Sequence, residues 1–426
     1  MRFAIKTFGC KVNQYESLAI ASAMHESGFE EVPDEEEADI VIINSCTVTA
    51  GGDKKARQSA SKIKRRSPEK LVVLTGCYPQ AFPEEAAASG ADIVTGNGER
   101  GKIAELVKKY ISDGAVCRSI PELPTAFEEM HIQRGGEKTR AFIKIEDGCN
   151  RFCSYCIIPY ARGRVRSRSL ESILSEARQC AAEGFRELVL VGINLSCYGT
   201  DCGLSLADAV EAACSVEGIE RVRLSSLEPE LLDEKMLSRL AKQDKLCPHF
   251  HLSLQSGCDE TLRRMNRRYT CEEYAEIVEN IRHAFPRCSI TTDMMAGFAG
   301  ETEEEFLCSL EFAERIGFAK IHAFAYSVRE GTAAAKRTDH VPEQIRQERF
   351  RRLSALDEKL HAKFLREQVG TVQPVLIQKR TSPDYAAGLT PNYTPVRIYG
   401  SGAQRGSIIK TKIIGAEKDF CLGEEQ

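Results

Sequence analysis

Short apolar runs alternate with amphipathic stretches along most of this chain. In the first 111 residues, FAIKTF, IVIINS, LVVLTG and IVTGN are rich in Val and Ile and read as short buried strands. Stretches such as ESLAIASAMHESG and ERGKIAELVKKYI follow at helical spacing. That alternation predicts a small parallel α/β sheet. Residues 112–140 lose periodicity and carry Pro121, Pro124, Gly135 and Gly136, the mark of a linker. From 141 to about 330 the alternation returns, with FIKIED, ELVLVG, RVRLSS, HFHLSL, SITTDMM and KIHAFAY as strands. CEEYAEIVENIRHAF and EEEFLCSLEFAERIG are among the helices between them. Six βα units fit a partial (βα)6 barrel better than a complete eight-fold one. Periodicity alone leaves an open barrel and a doubly wound sheet both standing. A charged helix, Pro342 to Gln368, leads out. TVQPVLIQK, TPVRIYG and SIIKTKIIGAEKD then read as strands of a small all-β barrel of oligonucleotide-binding type.

The predicted class is thus α/β. It comprises a parallel α/β domain over 1–111, a linker over 112–140, a partial barrel over 141–365 and a β-barrel over 366–426. A length of 426 residues agrees with several cores. The start, MRFAIKTFGC, reads as a strand rather than a signal peptide, and no segment is long and apolar enough to span a bilayer. Seventeen cysteines, an odd number, without a secretion signal point to a reducing compartment and to thiols used as ligands. The expectation is a cytoplasmic protein with no membrane partner.

A net charge of −4 excludes a uniformly basic nucleic-acid binder, but charge is local. Lys54 to Arg66 holds seven basic residues and no acidic one, and Arg162, Arg164, Arg166 and Arg168 alternate through RGRVRSR. Each run is a solvated face or a phosphate-backbone footprint.

The chemistry lies in the cysteines. Cys149, Cys153 and Cys156 stand at C-x3-C-x2-C spacing, which points three thiolates into one volume. A 4Fe-4S cube normally takes four Cys ligands, so three leave one iron open. Zinc is the rival, since Cys153 and Cys156 alone form half of a zinc ribbon. Cys10, Cys46 and Cys77 each close a predicted strand. In a parallel sheet the strand carboxyl ends share one edge, where ligands bind. The three can converge there on a second cluster, or serve as small buried apolar residues. The other eleven cysteines read as structural. Cys180, Cys214 and Cys308 fall at core-like helix positions, and Cys197 with Cys202 is the one pair spaced like a metal half-site.

The triplet with its flanks resembles the radical S-adenosylmethionine (SAM) superfamily. The whole chain resembles its methylthiotransferase family, through GCKVNQYES, NSCTVT, GCNRFCSYCIIPYARGRVRSR, LVGINLSCYG, RLSSLEP, HLSLQSG and TTDMMAGFAGET. GCKVNQYES is similar to the branch acting on threonylcarbamoyl-adenosine in tRNA. The last barrel resembles the RNA-binding TRAM domain. GFAGE and YSVREGT each lack a Pro usual in the family, which loosens a turn at the barrel rim.

The resemblance implies two 4Fe-4S clusters and SAM as cofactors. The cluster at Cys149, Cys153 and Cys156 would bind SAM and split it to a 5′-deoxyadenosyl radical. That radical would activate C2 of the adenine, and the cluster at Cys10, Cys46 and Cys77 would carry the sulfur. Asn194, Ser196, Ser226, Glu228 and Gln255, with the turn Gly297 to Gly300, are the expected SAM contacts, although such residues at strand ends often serve only turns. The implied partners are the tRNA anticodon loop and an electron donor such as flavodoxin or ferredoxin. Tyr385, Tyr393 and Tyr399, with Arg397, Lys410 and Lys412, are the expected RNA platform. Rival readings are a methylthiotransferase for isopentenyl-adenosine or a ribosomal-protein side chain, a non-catalytic iron–sulfur RNA sensor, and a zinc-bound interaction module.

Overall fold

The structure, a computed structural model, describes residues 1–133, 139–381 and 385–426. Gly135 and Gly136 of the expected linker lie outside them. The chain divides into two compact units. One comprises Met1–Gly135, Glu146–Arg168 and Ser327–Ala335; the other comprises Gly136–Ile145, Ser169–Tyr326 and Lys336–Gln426.

The first unit is built on a six-stranded parallel sheet. Its order is Glu30–Glu31, Arg2–Thr7, Ile40–Ser45, Leu71–Gly76, Ile93–Thr95 and Cys117–Ser119. Every residue of Ile40–Ser45 and Leu71–Gly76 is buried, as near-continuous apolar runs require when helices cover both faces. Ala56, Ala60 and Ile63 of the helix Ala50–Arg66 pack on Val41, Ile43, Val72 and Leu74. On the other face Ile20 and Met24 of the helix Lys11–Glu26, with Val107, pack on Ile40, Ile42 and Val73. The basic run Lys54 to Arg66 therefore lies along the outer side of one helix. The expected linker contributes an edge strand, Cys117–Ser119, three residues long and too short for periodicity to reveal.

The second unit contains six parallel strands joined by helices. Arg140–Lys144, Glu187–Val191 and Arg221–Leu224 form one sheet; Ser226–Leu227, His249–Leu252, Ser289–Ala296 and Lys320–Ala325 form the other. Arg221–Leu224 and Ser226–Leu227 are two segments of one strand broken at Ser225. Strand order follows chain order without a switch point, which is an open barrel and not a doubly wound sheet. Alternate residues (Ile143, Leu188, Leu190, Val222, Phe250, Leu252, Ile290, Met294) face outward into the main core with the helices.

The inner face is polar. Glu187 is wholly buried, with Arg223 at 2.9 Å, Arg221 at 3.7 Å and Arg140 at 3.9 Å. Burial pushes its carboxyl up, but these guanidiniums outweigh that and hold it below the usual carboxylate range. A closed five-stranded barrel of Val372–Thr381, Tyr385–Leu389, Pro395–Tyr399, Cys421–Glu425 and Ile408–Ala416 completes this unit. Its 389–394 turn docks on the same arginines. Arg221 donates to Leu389 O at 3.0 Å and Pro374 O at 2.7 Å, Arg223 to Pro391 O at 2.8 Å, and Ser289 Oγ to Asn392 O at 2.6 Å.

Two expectations change here. Tyr393 is no RNA platform, because it stacks on His249 at 4.6 Å beneath the guanidinium of Arg223. Cys308 is exposed, lying off the helix face buried through Phe306, Ser309 and Phe312. Cys180 and Cys214 are buried as expected, whereas Cys197 is buried and Cys202 exposed.

Replacing Glu187 by Ala would strand three guanidiniums, and is expected to cost about 3–5 kcal/mol in urea unfolding. Lys359→Ala, which breaks the exposed pair with Glu314, should cost under about 1 kcal/mol. Because Glu187's pKa is lowered in the fold, its contribution is present above the ordinary carboxylate range. It is lost as pH falls through the lowered value.

Candidate functional site

Three parallel strands of the first unit end side by side, with Thr7 opposite Asn44 and Asn44 opposite Thr75. Cys10, Cys46 and Cys77 follow these ends. Two close approaches demand glycine. Gly9 has φ +120° and a Cβ there would lie 2.3 Å from Cys46 Cβ; Gly76 has φ +103° and its Cβ would lie 2.4 Å from Ser45 O. Cys10 and Cys46 line a cavity of about 520 Å³ with Gly9, Thr49, Gly52 and Lys55.

Electrostatics show that the three thiols are neighbours. Burial, then Cys77 and Cys10, push Cys46 up to about 12. Burial also raises Cys10, although part of that residue stays solvent-accessible, and Arg162 pulls against the rise.

Cys149, Cys153 and Cys156 lie in the same compact unit. Their loop is clipped at its base by the antiparallel pair Glu146–Asp147 and Arg166–Ser167. Cys149 N donates to Gly163 O at 3.0 Å, Cys156 N to Cys153 O at 2.9 Å, and Arg151 N to Cys149 Sγ at 3.4 Å. Phe152 sits at φ +51° with the Arg164 guanidinium 4.6 Å from its ring. Ala334 N, from the strap Ser327–Ala335, donates to Ser154 O at 2.7 Å.

The arginine run is neither a solvated face nor a phosphate footprint. Arg162, Arg166 and Arg168 are buried, and only Arg164 is exposed. Arg162 meets Glu16, Asp147, Asn13 and Cys77; Arg166 donates to Arg162 O at 2.8 Å and faces Asp147 at 3.5 Å; Arg168 pairs with Glu129 at 3.0 Å. Alternating Arg residues resemble an exposed strand, and the carboxylates that neutralise them are distant in sequence.

Sequence reasoning passed over Asn13, Glu16 and Arg329. Asn13 and Glu16 stand three apart in the helix that follows Cys10, so they share a face, and that spacing was the available signal. Arg329 in the strap donates to Thr47 Oγ1 and Asp53 Oδ2, each at 2.6 Å, just beyond Cys46. Nothing local marked it.

In the second unit Ser196 and Glu228 meet. Ser196 Oγ accepts from Glu228 N at 2.9 Å and donates to Glu228 O at 3.1 Å, while Arg267 holds Glu228 Oε2 at 2.6 Å. Asn194, two residues before Ser196, is buried, and Ser226 is half-buried in its short strand. Gln255 adopts φ +72°, its N–H donating to Asp293 O at 2.8 Å. The turn carrying Gly297 and Gly300 backs onto Arg346 and Asp339 of the same chain.

Among the described residues no group of three or more His, Cys, Asp or Glu is arranged around a single metal ion. Thiolates that bind different irons of a cube stand farther apart than ligands of one ion. The donor set fits a cluster: three convergent thiols, an adjoining cavity, and a guanidinium against one sulfur. No described helix is long and apolar enough to cross a membrane.

The Radical SAM superfamily matches residues 143–313, and uncharacterized protein family UPF0004 matches residues 2–96. The fold agrees with a radical S-adenosylmethionine methyltransferase, TsrM, from Kitasatospora setae with cobalamin and a 4Fe-4S cluster bound. That likeness has a TM-score of 0.58 at 15% identity, covering 91% of this chain and 77% of that one. Barrel, cysteine loop and matches together define a radical SAM enzyme. A threonylcarbamoyladenosine tRNA methylthiotransferase, MtaB, of Bacillus subtilis is 37% identical over 99% of this chain and 95% of its own. A tRNA-2-methylthio-N(6)-dimethylallyladenosine synthase of Syntrophomonas wolfei is 34% identical over 100% of this chain and 97% of its own. The chain belongs to the radical SAM tRNA methylthiotransferase family. As such it uses an iron–sulfur cluster and SAM, and acts on tRNA.

Gly76→Ala tests the close approach of the strand ends. It should lower the urea midpoint by the equivalent of about 1–3 kcal/mol, from left-handed backbone strain and the Ser45 clash. An unchanged midpoint would contradict the geometry at Cys77.

Proposed function

We propose that this enzyme adds a methylthio group to C2 of N6-threonylcarbamoyladenosine beside the anticodon of tRNA. The carrying observation is that Cys10, Cys46 and Cys77 converge in the same compact unit as Cys149, Cys153 and Cys156, with a cavity beside the first set. Each set would hold a 4Fe-4S cluster through three thiolates. When bound, two clusters and SAM supply the one-electron, sulfur and methyl chemistry that no side chain can. The chain's own residues position and enclose. The clipped loop presents Cys149, Cys153 and Cys156 from a fixed backbone. Asn194, Ser196, Ser226, Glu228 and Gln255, with the turn at Gly297 and Gly300, form the SAM subsite, where Ser196 holds the Glu228 backbone and Arg267 holds its carboxylate.

The domain assignment that goes with this reading is an α/β domain over 1–111, a linker over 112–140, a radical SAM domain over 141–365 and a TRAM barrel over 366–426. On the barrel, Tyr385 and Tyr399 pair at 5.6 Å with Arg397 over the Tyr385 ring at 4.9 Å, and Lys410 and Lys412 are exposed. These would take single-stranded bases and phosphates of the anticodon loop. A flavodoxin or ferredoxin would deliver electrons, in the cytoplasm. The threonylcarbamoyl branch is favoured by the GCKVNQYES segment and by the 37% identity to the Bacillus subtilis enzyme. The dimethylallyladenosine branch is the second reading, supported by the 34% identity to the Syntrophomonas wolfei enzyme.

Mass spectrometry of tRNA nucleosides from cells lacking the protein should lose the methylthio form of threonylcarbamoyladenosine alone. Loss of the methylthio dimethylallyl form instead moves the enzyme to the second reading. Anaerobically reconstituted protein should carry about eight irons per chain, two four-iron cubes. Ala at Cys10, Cys46 and Cys77 should leave about four. No drop would refute the second cluster.

A further inference from the structure

One buried cation beside the cysteines has no part in the reading above. All five N–H groups of Arg162 are directed at acceptors. Nε donates to Cys77 Sγ at 3.1 Å; Nη1 to Glu16 Oε1 at 2.8 Å and Asp147 Oδ1 at 3.0 Å; Nη2 to Glu16 Oε2 at 3.0 Å and Asn13 Oδ1 at 3.3 Å. Arg162 is 1% exposed, and Glu16 and Asn13 are wholly buried. The Glu16 fork holds the guanidinium plane bidentately, which fixes the direction of the Nε–H bond. Glu16 also faces Arg100 at 3.1 Å, and Asp147 faces Arg166 at 3.5 Å, so each carboxylate is shared between two guanidiniums. The cation can therefore act on the sulfur without being fully neutralised by its holders.

We propose that Arg162 is a positioning residue that sets the reduction potential of the cluster held by Cys10, Cys46 and Cys77. This rests on the reading that those thiolates hold a cluster. An N–H bond to a ligand sulfur, backed by a full positive charge in a desolvated site, favours the more negative, reduced state of a cluster and raises its potential. Glu16 has the opposite effect, because its charge offsets that of Arg162. A residue present only for stability has no such pair of opposed signs.

The test uses the full chain with Cys149, Cys153 and Cys156 replaced by Ala, reconstituted anaerobically with iron and sulfide, so that one cluster reports. Its potential is followed by electron paramagnetic resonance during reductive titration. In this background Arg162→Lys, which keeps charge but loses the fork, should lower the reduced-to-oxidised ratio at fixed poise about tenfold. For one electron that is a downward shift of about 59 mV. Glu16→Gln should move the ratio upward, and it carries the test if the Lys variant does not retain iron. Shifts of the same sign, or no shift with iron retained, overturn the proposal. A parent variant that binds no iron overturns the two-cluster reading and this proposal with it.

Discussion

A guanidinium taken out of water must be met by carboxylates and hydrogen-bond acceptors, and much of this molecule is arranged around that requirement. The unbalanced loss of one partner in a buried pair costs about 3–5 kcal/mol, more than most single contacts contribute. In the first unit Glu16, Asp147 and Asn13 surround Arg162, joining the helix after Cys10 to the loop around Cys149. In the second, Glu187 gathers Arg140, Arg221 and Arg223 on the inner face of the open barrel. Neither cluster can form until segments far apart in sequence have come together. Each therefore selects one arrangement of the chain, beyond what apolar burial alone would specify.

The same chemistry explains how the small C-terminal barrel attaches. Its docking turn and the neighbouring strand at Pro374 offer backbone carbonyls, and the arginines on the sheet supply the donors. Tyr393 then closes the contact by stacking on His249. An aromatic residue in a barrel turn thus serves the join between two sheets of one unit, while Tyr399 remains exposed. Residue type alone did not distinguish these uses.

Much of the architecture was legible because it rests on period and punctuation. Buried strands such as Ile40–Ser45 are uninterrupted apolar runs, and Cys10, Cys46 and Cys77 could be placed at strand ends for that reason. The cysteine loop was legible because its spacing is local. What stayed hidden is non-local or short. Cys117–Ser119 is an edge strand of three residues without a pattern of its own. The buried state of Arg162, Arg166 and Arg168 depends on acids up to 146 residues away. Arg329 is a single residue in a segment assigned by order to the barrel, and its acid partner Asp53 is 276 positions upstream.

The strap Ser327–Ala335 has a consequence for how the protein is made. The sheet that presents Cys10, Cys46 and Cys77 emerges early from a ribosome, but the segment that supplies Arg329 to Asp53 and Ala334 to the Ser154 carbonyl is synthesised last among the parts of that unit. Domains ordinarily settle as units during elongation, N-terminal first. Here the unit stays incomplete through about 160 residues of further translation between Arg168 and Ser327. Metal and sulfide arriving before that point would meet a unit in which the Arg329 and Ala334 contacts are still missing.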